Sequence, residues 1–141
     1  MTDTTSTPTP TRTVTQTVDA YLDDLAGARL GTTDLLHDDI SWDATVPHWR
    51  YRLDGAEAVR KELAHWYRSP LTSSHAVRHA IDGGEVVDLS QQFDEDGVTW
   101  TVHHLMVLGV EHGRIRSITV ACGGRWDPAL VAQMGPAAHA G

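Results

Sequence analysis

A chain of 141 residues, 40% apolar and 21% charged, suits one folded domain around one core. Its formal net charge of −8 repels phosphate backbones and anionic lipid surfaces, which argues against nucleic acid or a membrane as a partner. The single cysteine, Cys122, excludes an internal disulfide and a multi-cysteine zinc site and suits a reducing compartment.

Residues 1–13 are rich in Thr and Pro and contain no apolar run, so they predict a disordered tail and not a secretory signal. No stretch is apolar for the 18 or more residues of a membrane span, and the expected location is cytoplasmic. From Val14 to Ala26, the residues Val14, Val18, Tyr21, Leu22 and Leu25 recur at helical spacing, with Asp19, Asp23 and Asp24 on the other face. A short second helix is expected at 33–37, with Thr32 or Thr33 as its N-cap. Residues 40–46 alternate: Ile40, Trp42, Ala44 and Val46 face one way, Ser41, Asp43 and Thr45 the other. This is the pattern of a half-buried strand, and Pro47 ends it. Residues 48–54 read as a polar-aromatic loop. Residues 56–68 predict a second long helix, with Asp54 as N-cap, Glu57 completing a capping box, and Val59, Leu63, Trp66 and Tyr67 on its apolar face.

The remainder reads as four strands, 74–81, 85–93, 98–110 and 114–122, joined by Gly-containing turns into an antiparallel meander. Residues 14–127 form the domain, and 128–141 form a C-terminal tail with one short helix after Pro128. Helices come first and strands last, so the class is α+β and not α/β. The order α-α-β-α-β-β-β-β predicts a cone, in which a strongly bent, mainly antiparallel sheet wraps around the N-terminal helices and leaves a pocket between them.

Four segments carry a resemblance: "AYLDDLAGARLGTTDLLHDDISWDATVP", "LDGAEAVRKELAHWY", "SSHAVRHAIDGGEVV" and "EHGRIRSITV". In this order and spacing they resemble the nuclear transport factor 2-like (SnoaL-like) superfamily over about residues 14–126. That superfamily includes ketosteroid isomerases, SnoaL-type polyketide cyclases, scytalone dehydratase, limonene-epoxide hydrolases and bile-acid dehydratases. The resemblance places Tyr21 where the ketosteroid isomerases keep an oxyanion-binding tyrosine. It places Ala44 at the position of their aspartate base and Met106 near that of their second acid, so both carboxyl positions are apolar here. It places His75 where bile-acid dehydratase-type members carry a pocket histidine. The hydrolases' Asp-Arg-Asp set has no counterpart. The resemblance also implies a homodimer, formed through a convex sheet face carrying Thr99, Thr101, His103, Ser117 and Thr119.

Imidazole titrates near neutral pH, so His75 and His104 are the candidate proton carriers. His75 shares a strand face with Val77 and Ile81, and a hydrogen-bonded core histidine is the other reading of it. His104 shares its row with Trp100, Val102, Met106 and Leu108, which makes it a better pocket residue than His103. Tyr21 either holds a substrate oxygen or packs with its hydroxyl on a backbone carbonyl. Asp43 faces outward by alternation and becomes the natural base if the strand register shifts. His48 and Trp49, followed by Arg50, Tyr51 and Arg52, form either a lid over a flat ligand or an exposed loop. Gln91 shares an inward face with Leu89 and Phe93, and it either orients a histidine or binds ligand. Cys122 lines the pocket as a small apolar group, and Trp42, Trp66, Phe93, Trp100 and Met106 supply its walls. His75 and His79 are four apart, which on a strand separates them by roughly 13 Å, so no metal site is expected, and no cofactor. The expected function is a cofactor-independent isomerase, cyclase or dehydratase acting on a small, mostly apolar carbonyl compound such as a polyketide-type metabolite. The alternative is a non-catalytic pocket protein that binds a hydrophobic ligand or dimerises.

Overall fold

The structure is a computed structural model that describes residues 11–139. The disordered tail expected at 1–13 lies outside these residues as far as 10. Thr13 instead belongs to the fold. Its side chain accepts from the Gln16 backbone N–H, and the Gln16 side chain accepts from its own, a full capping box at the start of α1 (Val14–Ala26). Val18, Tyr21 and Leu25 are the buried stripe of that helix.

The second helix shrinks to a single 3-10 turn, Leu30–Thr32, and β1 (Leu36–Val46) begins where helix was expected. Leu35 and Leu36 are both buried, which suits the start of a strand between two layers. The expected loop after Pro47 is a strand, β2 (Trp49–Asp54), which pairs antiparallel with β1. Its alternation is hidden because its exposed positions carry Trp49, Arg50 and Arg52. Helix α2 (Ala56–Trp66) is capped by Gly55 at φ 93, not by Asp54, and makes no side-chain capping bond.

β3 (Ser73–Ile81), β4 (Gly84–Glu95), β5 (Val98–Glu111) and β6 (Arg114–Trp126) follow as the predicted meander, with β6 four residues longer than read. The helix after Pro128 is present as α3 (Pro128–Met134). The six strands form one sheet in the order β2-β1-β6-β5-β4-β3. Only β1 and β6 pair in parallel; every other pairing is antiparallel. Both helices lie on the same face of the sheet, α1 over β4–β6 and α2 over β1 and β2. That face carries the core, including Trp42, Leu89, Met106, Leu108, Ile118 and Val120. Arg78 and the buried Glu85 pin α1 to the edge of the sheet, since Arg78 bridges Glu85 and Asp19. The architecture is the α+β cone that the element order predicted, with an open, mixed sheet.

Candidate functional site

At the C-terminal end of α2 the sheet curves away and leaves a cavity of about 630 Å³. That volume is in the range of small-molecule sites. Trp49, Tyr51, Trp66, Tyr67 and Phe93 supply aromatic surface, with Val46, Leu71 and Val102 between them.

His104 and Gln91 are its most buried polar groups, at 3% and 2% exposed. His104 Nδ1 lies 2.8 Å from the Tyr67 hydroxyl and 2.8 Å from the Gln91 amide nitrogen. The amide nitrogen can only donate, so Nδ1 is the unprotonated nitrogen and the ring hydrogen sits on Nε2. Nε2 has no protein partner among the described residues and is not sealed from solvent, which leaves it open to the cavity. Burial, with a smaller push from neighbouring His103, lowers the His104 pKa from 6.5 to about 3. The ring is therefore neutral at pH 7, a poor base and a directed N–H donor. The hydrogen bond accepted at Nδ1 draws density from the ring and sharpens that donor.

The carboxylate of the site is Glu62. It accepts from the Tyr51 hydroxyl in a short hydrogen bond and from Trp66 Nε1 at 3.2 Å. Among the described residues no cation pairs with it. Trp66 stands between the two polar groups, bonded to Glu62 and with its ring centroid 5.2 Å from that of His104. Burial and the Glu62 hydrogen bond raise the Tyr51 pKa, so its hydroxyl stays protonated and donating.

The mouth is charged. Arg68 grips Glu95 with two nitrogens, and Arg125 adds a third bond at 2.9 Å. These partners, Arg68 first, hold the Glu95 carboxyl at about 2.

Of the residues expected here, His104, Gln91, Trp66, Phe93, Trp49 and Cys122 line the cavity. Trp49 does so from the rim, 69% exposed. The Cys122 thiol is pushed up by burial and stays protonated, as a wall group should. Trp42 is fully buried behind Trp66, edge to face at 5.0 Å, and Met106 is core; neither reaches the cavity. Trp100 packs beneath Arg125 outside the lining. Tyr21 is fully buried outside the lining, and its hydroxyl has no partner among the described residues. His48 occupies the β1–β2 turn at φ 67, exposed and outside the lining.

His75 does not join His104. His75 pairs with Ser90 and Ser90 with His103, whereas His104 pairs with Leu89 and Leu89 with Ala76, so the two histidines are on opposite faces of the sheet. The inward residue of β3 is Arg78, held by Glu85; alternation shows which residues share a face but not which face is inside. Asp43 likewise faces away from the cavity. It is gripped by both forks of Arg50, at 2.9 and 2.6 Å, and by Arg52 at 3.3 Å, and the Arg50 bonds lower its pKa. Sequence reading missed Glu62 and Arg125, met Tyr51 only as part of a possible lid, and met Tyr67 only as part of an apolar helix face. The signal for Glu62 was its place four residues before Trp66 on the helix.

A separate surface cluster joins His37, Glu111 and His112. His37 Nδ1 accepts from the Asp39 backbone N–H at 3.0 Å, so its Nε2 hydrogen points at Glu111, 3.4 Å away. This is a surface polar contact beside the β5–β6 turn.

The buried imidazole makes stability depend on pH. The unfolded chain takes up this proton near 6.5 and the folded one only near 3, so the unfolded state binds more protons between those values. Stability is therefore expected to fall on acidification through that window, at most on the order of 1 kcal/mol per pH unit. Urea unfolding at about pH 6 and pH 5 checks it, above the range where Glu95 contributes. His104→Gln should flatten the slope relative to wild type; an unchanged slope would place the titration elsewhere.

No protein-family model and no curated protein sequence matches the chain. Solved structures do. A "Putative Isomerase" from Rhodopseudomonas palustris aligns over 84% of this chain and 95% of its own, at TM-score 0.65 and 15% identity. An NTF2-like protein from Anabaena variabilis aligns over 78% and 86%, at TM-score 0.62 and 14% identity. An LEH-like epoxide hydrolase from M. tuberculosis aligns over 75% and 79%, at TM-score 0.59 and 16% identity. The fold is thus the nuclear transport factor 2-like one, as the sequence resemblance implied.

Proposed function

On this nuclear transport factor 2-like cone, we propose a cofactor-independent acid–base enzyme of the isomerase, cyclase or dehydratase kind. It acts on a small, mostly apolar carbonyl compound, polyketide-type metabolites being the model class. One observation carries the reading: a neutral histidine with Nε2 open to an aromatic cavity that also holds a carboxylate without a cation.

The roles follow from the charges. The substrate carbonyl oxygen sits against His104 Nε2–H, and Glu62 takes the proton from the adjacent carbon. Charge then develops on that oxygen, where a fixed donor in a water-poor site stabilises it most. Returning the proton from Glu62 to another carbon isomerises the substrate; giving it to a departing β-hydroxyl releases water and dehydrates it; attack of the enolate carbon on a second carbonyl, whose oxygen then takes the proton, cyclises it. Tyr67 and Gln91 hold the imidazole, and Tyr51 holds the base. Histidine is the oxygen holder in this scheme, where sequence alone suggested the proton carrier. The proposed setting is the cytoplasm, whose reducing conditions suit a lone thiol.

Engagement of Glu62 by Tyr51 and Trp66 favours the second reading, a hydrophobic-ligand carrier whose carboxylate is structural. Incubating the protein with small aryl and cyclic ketones in D₂O separates the two. Loss of α-proton NMR signal at a rate proportional to protein is expected. Ketones that quench tryptophan fluorescence but never exchange would leave only the carrier.

The same reading includes a homodimer through the outer sheet face. Leu105 and Val107 stand there 47% and 40% exposed, with His103 and Thr119 in the same rows. A contiguous apolar strip of this kind favours a partner surface. Sedimentation at tens of micromolar should return twice the monomer mass; a monomer would retire the assembly and leave the cavity reading intact.

A further inference from the structure

The structure assigns a ligand-anion subsite to Arg125: we infer that the compound bound in the cavity carries a carboxylate that docks on this guanidinium at the mouth. The inference rests on the cavity being the ligand site and deepens it by naming a group on the ligand.

Arg125 is built into place by the backbone. Along β6, Ile118 and Val120 face the core and Cys122 the cavity, all on the inner side of the sheet at even spacing, so residue 125 should face outward. A bulge reverses it. The β5–β6 register runs from His104↔Cys122 to Val102↔Arg125, three residues against two, with Gly124 at φ 97 absorbing the extra residue. Bulges of this kind re-aim a side chain. The guanidinium then lies across two cross-strand aromatic rings, 4.9 Å from Phe93 and 4.8 Å from Trp100. Its plane is held before any ligand arrives.

It is also under-used. Arg68 spends Nε and Nη2 on Glu95, whereas Arg125 gives that carboxylate only Nη2. Nε and Nη1 of Arg125 have no partner among the described residues. Two guanidiniums, Arg68 and Arg125, share the Glu95 carboxylate at the mouth, while the cavity's other carboxylate, Glu62, is taken up by Tyr51 and Trp66. Asp96 also acts on Arg68, but it is exposed and screened by solvent. A planar, pre-oriented fork with free N–H groups on an aromatic platform matches a carboxylate better than a neutral carbonyl. The body of the ligand would then lie along Trp66 and Tyr67 toward His104.

The test uses a matched pair of probes, 3-phenylpropanoate and 4-phenyl-2-butanone, titrated by calorimetry. Wild type should bind the carboxylate about tenfold more tightly. Arg125→Met, checked for folding by its thermal melt, should lose that preference to within about twofold. Arg125→Lys keeps the charge without the fork and should fall between them. Equal binding of the two probes by wild type, or an undiminished preference in the Met variant, overturns the proposal. So does a Lys variant no better than Met, which would trace the effect to lost packing. Failure here is distinct from failure of the acid–base reading. Ketone exchange in D₂O without carboxylate preference removes only the subsite; carboxylate preference without exchange removes only the chemistry.

Discussion

Glu62→Gln is expected to slow α-proton exchange by roughly 10²- to 10⁴-fold, the range for loss of a positioned general base. The substitution keeps the shape of the side chain. A glutamine oxygen can still accept from Tyr51 and Trp66, so the cavity wall should stand and stability should change by less than about 1 kcal/mol. Affinity for a neutral ketone should move little, because the base acts on the transition state more than on the bound ground state. Exchange rates of wild type and variant, measured by NMR at saturating ketone, decide it. A variant that keeps the wild-type rate would remove Glu62 from the chemistry and return the search for a base to the other cavity groups.

Trp42→Ala should bring the largest loss of stability, about 3–5 kcal/mol. The indole is 1% exposed at the centre of β1, paired to Leu53 on one side and Ile118 on the other. It also backs the cavity wall through its edge-to-face contact with Trp66. A deletion of that size should lower Tm on the order of 10 °C and loosen Trp66, so ligand quenching of fluorescence should weaken too. Trp49→Ala is the control: at 69% exposure it should shift stability by no more than about 0.5 kcal/mol. Similar melts for the two variants would contradict the placement of Trp42 in the core.

These two tryptophans show what sequence reading can and cannot separate. Strand alternation placed Trp42 correctly on the inner face, yet it was read as a cavity wall, whereas Trp49, read as lid or exposed loop, is the one at the rim. Periodicity says that a side chain is inward, not whether it meets another side chain or a void. Which of the two it meets is decided by where α2 ends. Tyr67, the C-cap of that helix, falls opposite His104, 37 residues away in the chain. No spacing rule links them, so the hydrogen bond that sets the tautomer was invisible.

Apart from β2 and the shrunken second helix, the order of elements was legible from the amino acids alone, as were the α+β class and the inward rows of β1, β4, β5 and β6. Helical and strand periods are local and survive any packing. His104 and Gln91 were found for that reason, each being the polar member of an apolar row. The tertiary structure decided everything that depends on absolute facing and long-range register. It turned His75 outward and Arg78 inward on an edge strand whose apolar alternates face away from the core. It locked Asp43 to Arg50 across a hairpin that read as a loop. It re-aimed Arg125 through a one-residue bulge. Alternation determines relative facing only; one extra residue, or the choice of which face the helices cover, reverses it, and packing makes that choice.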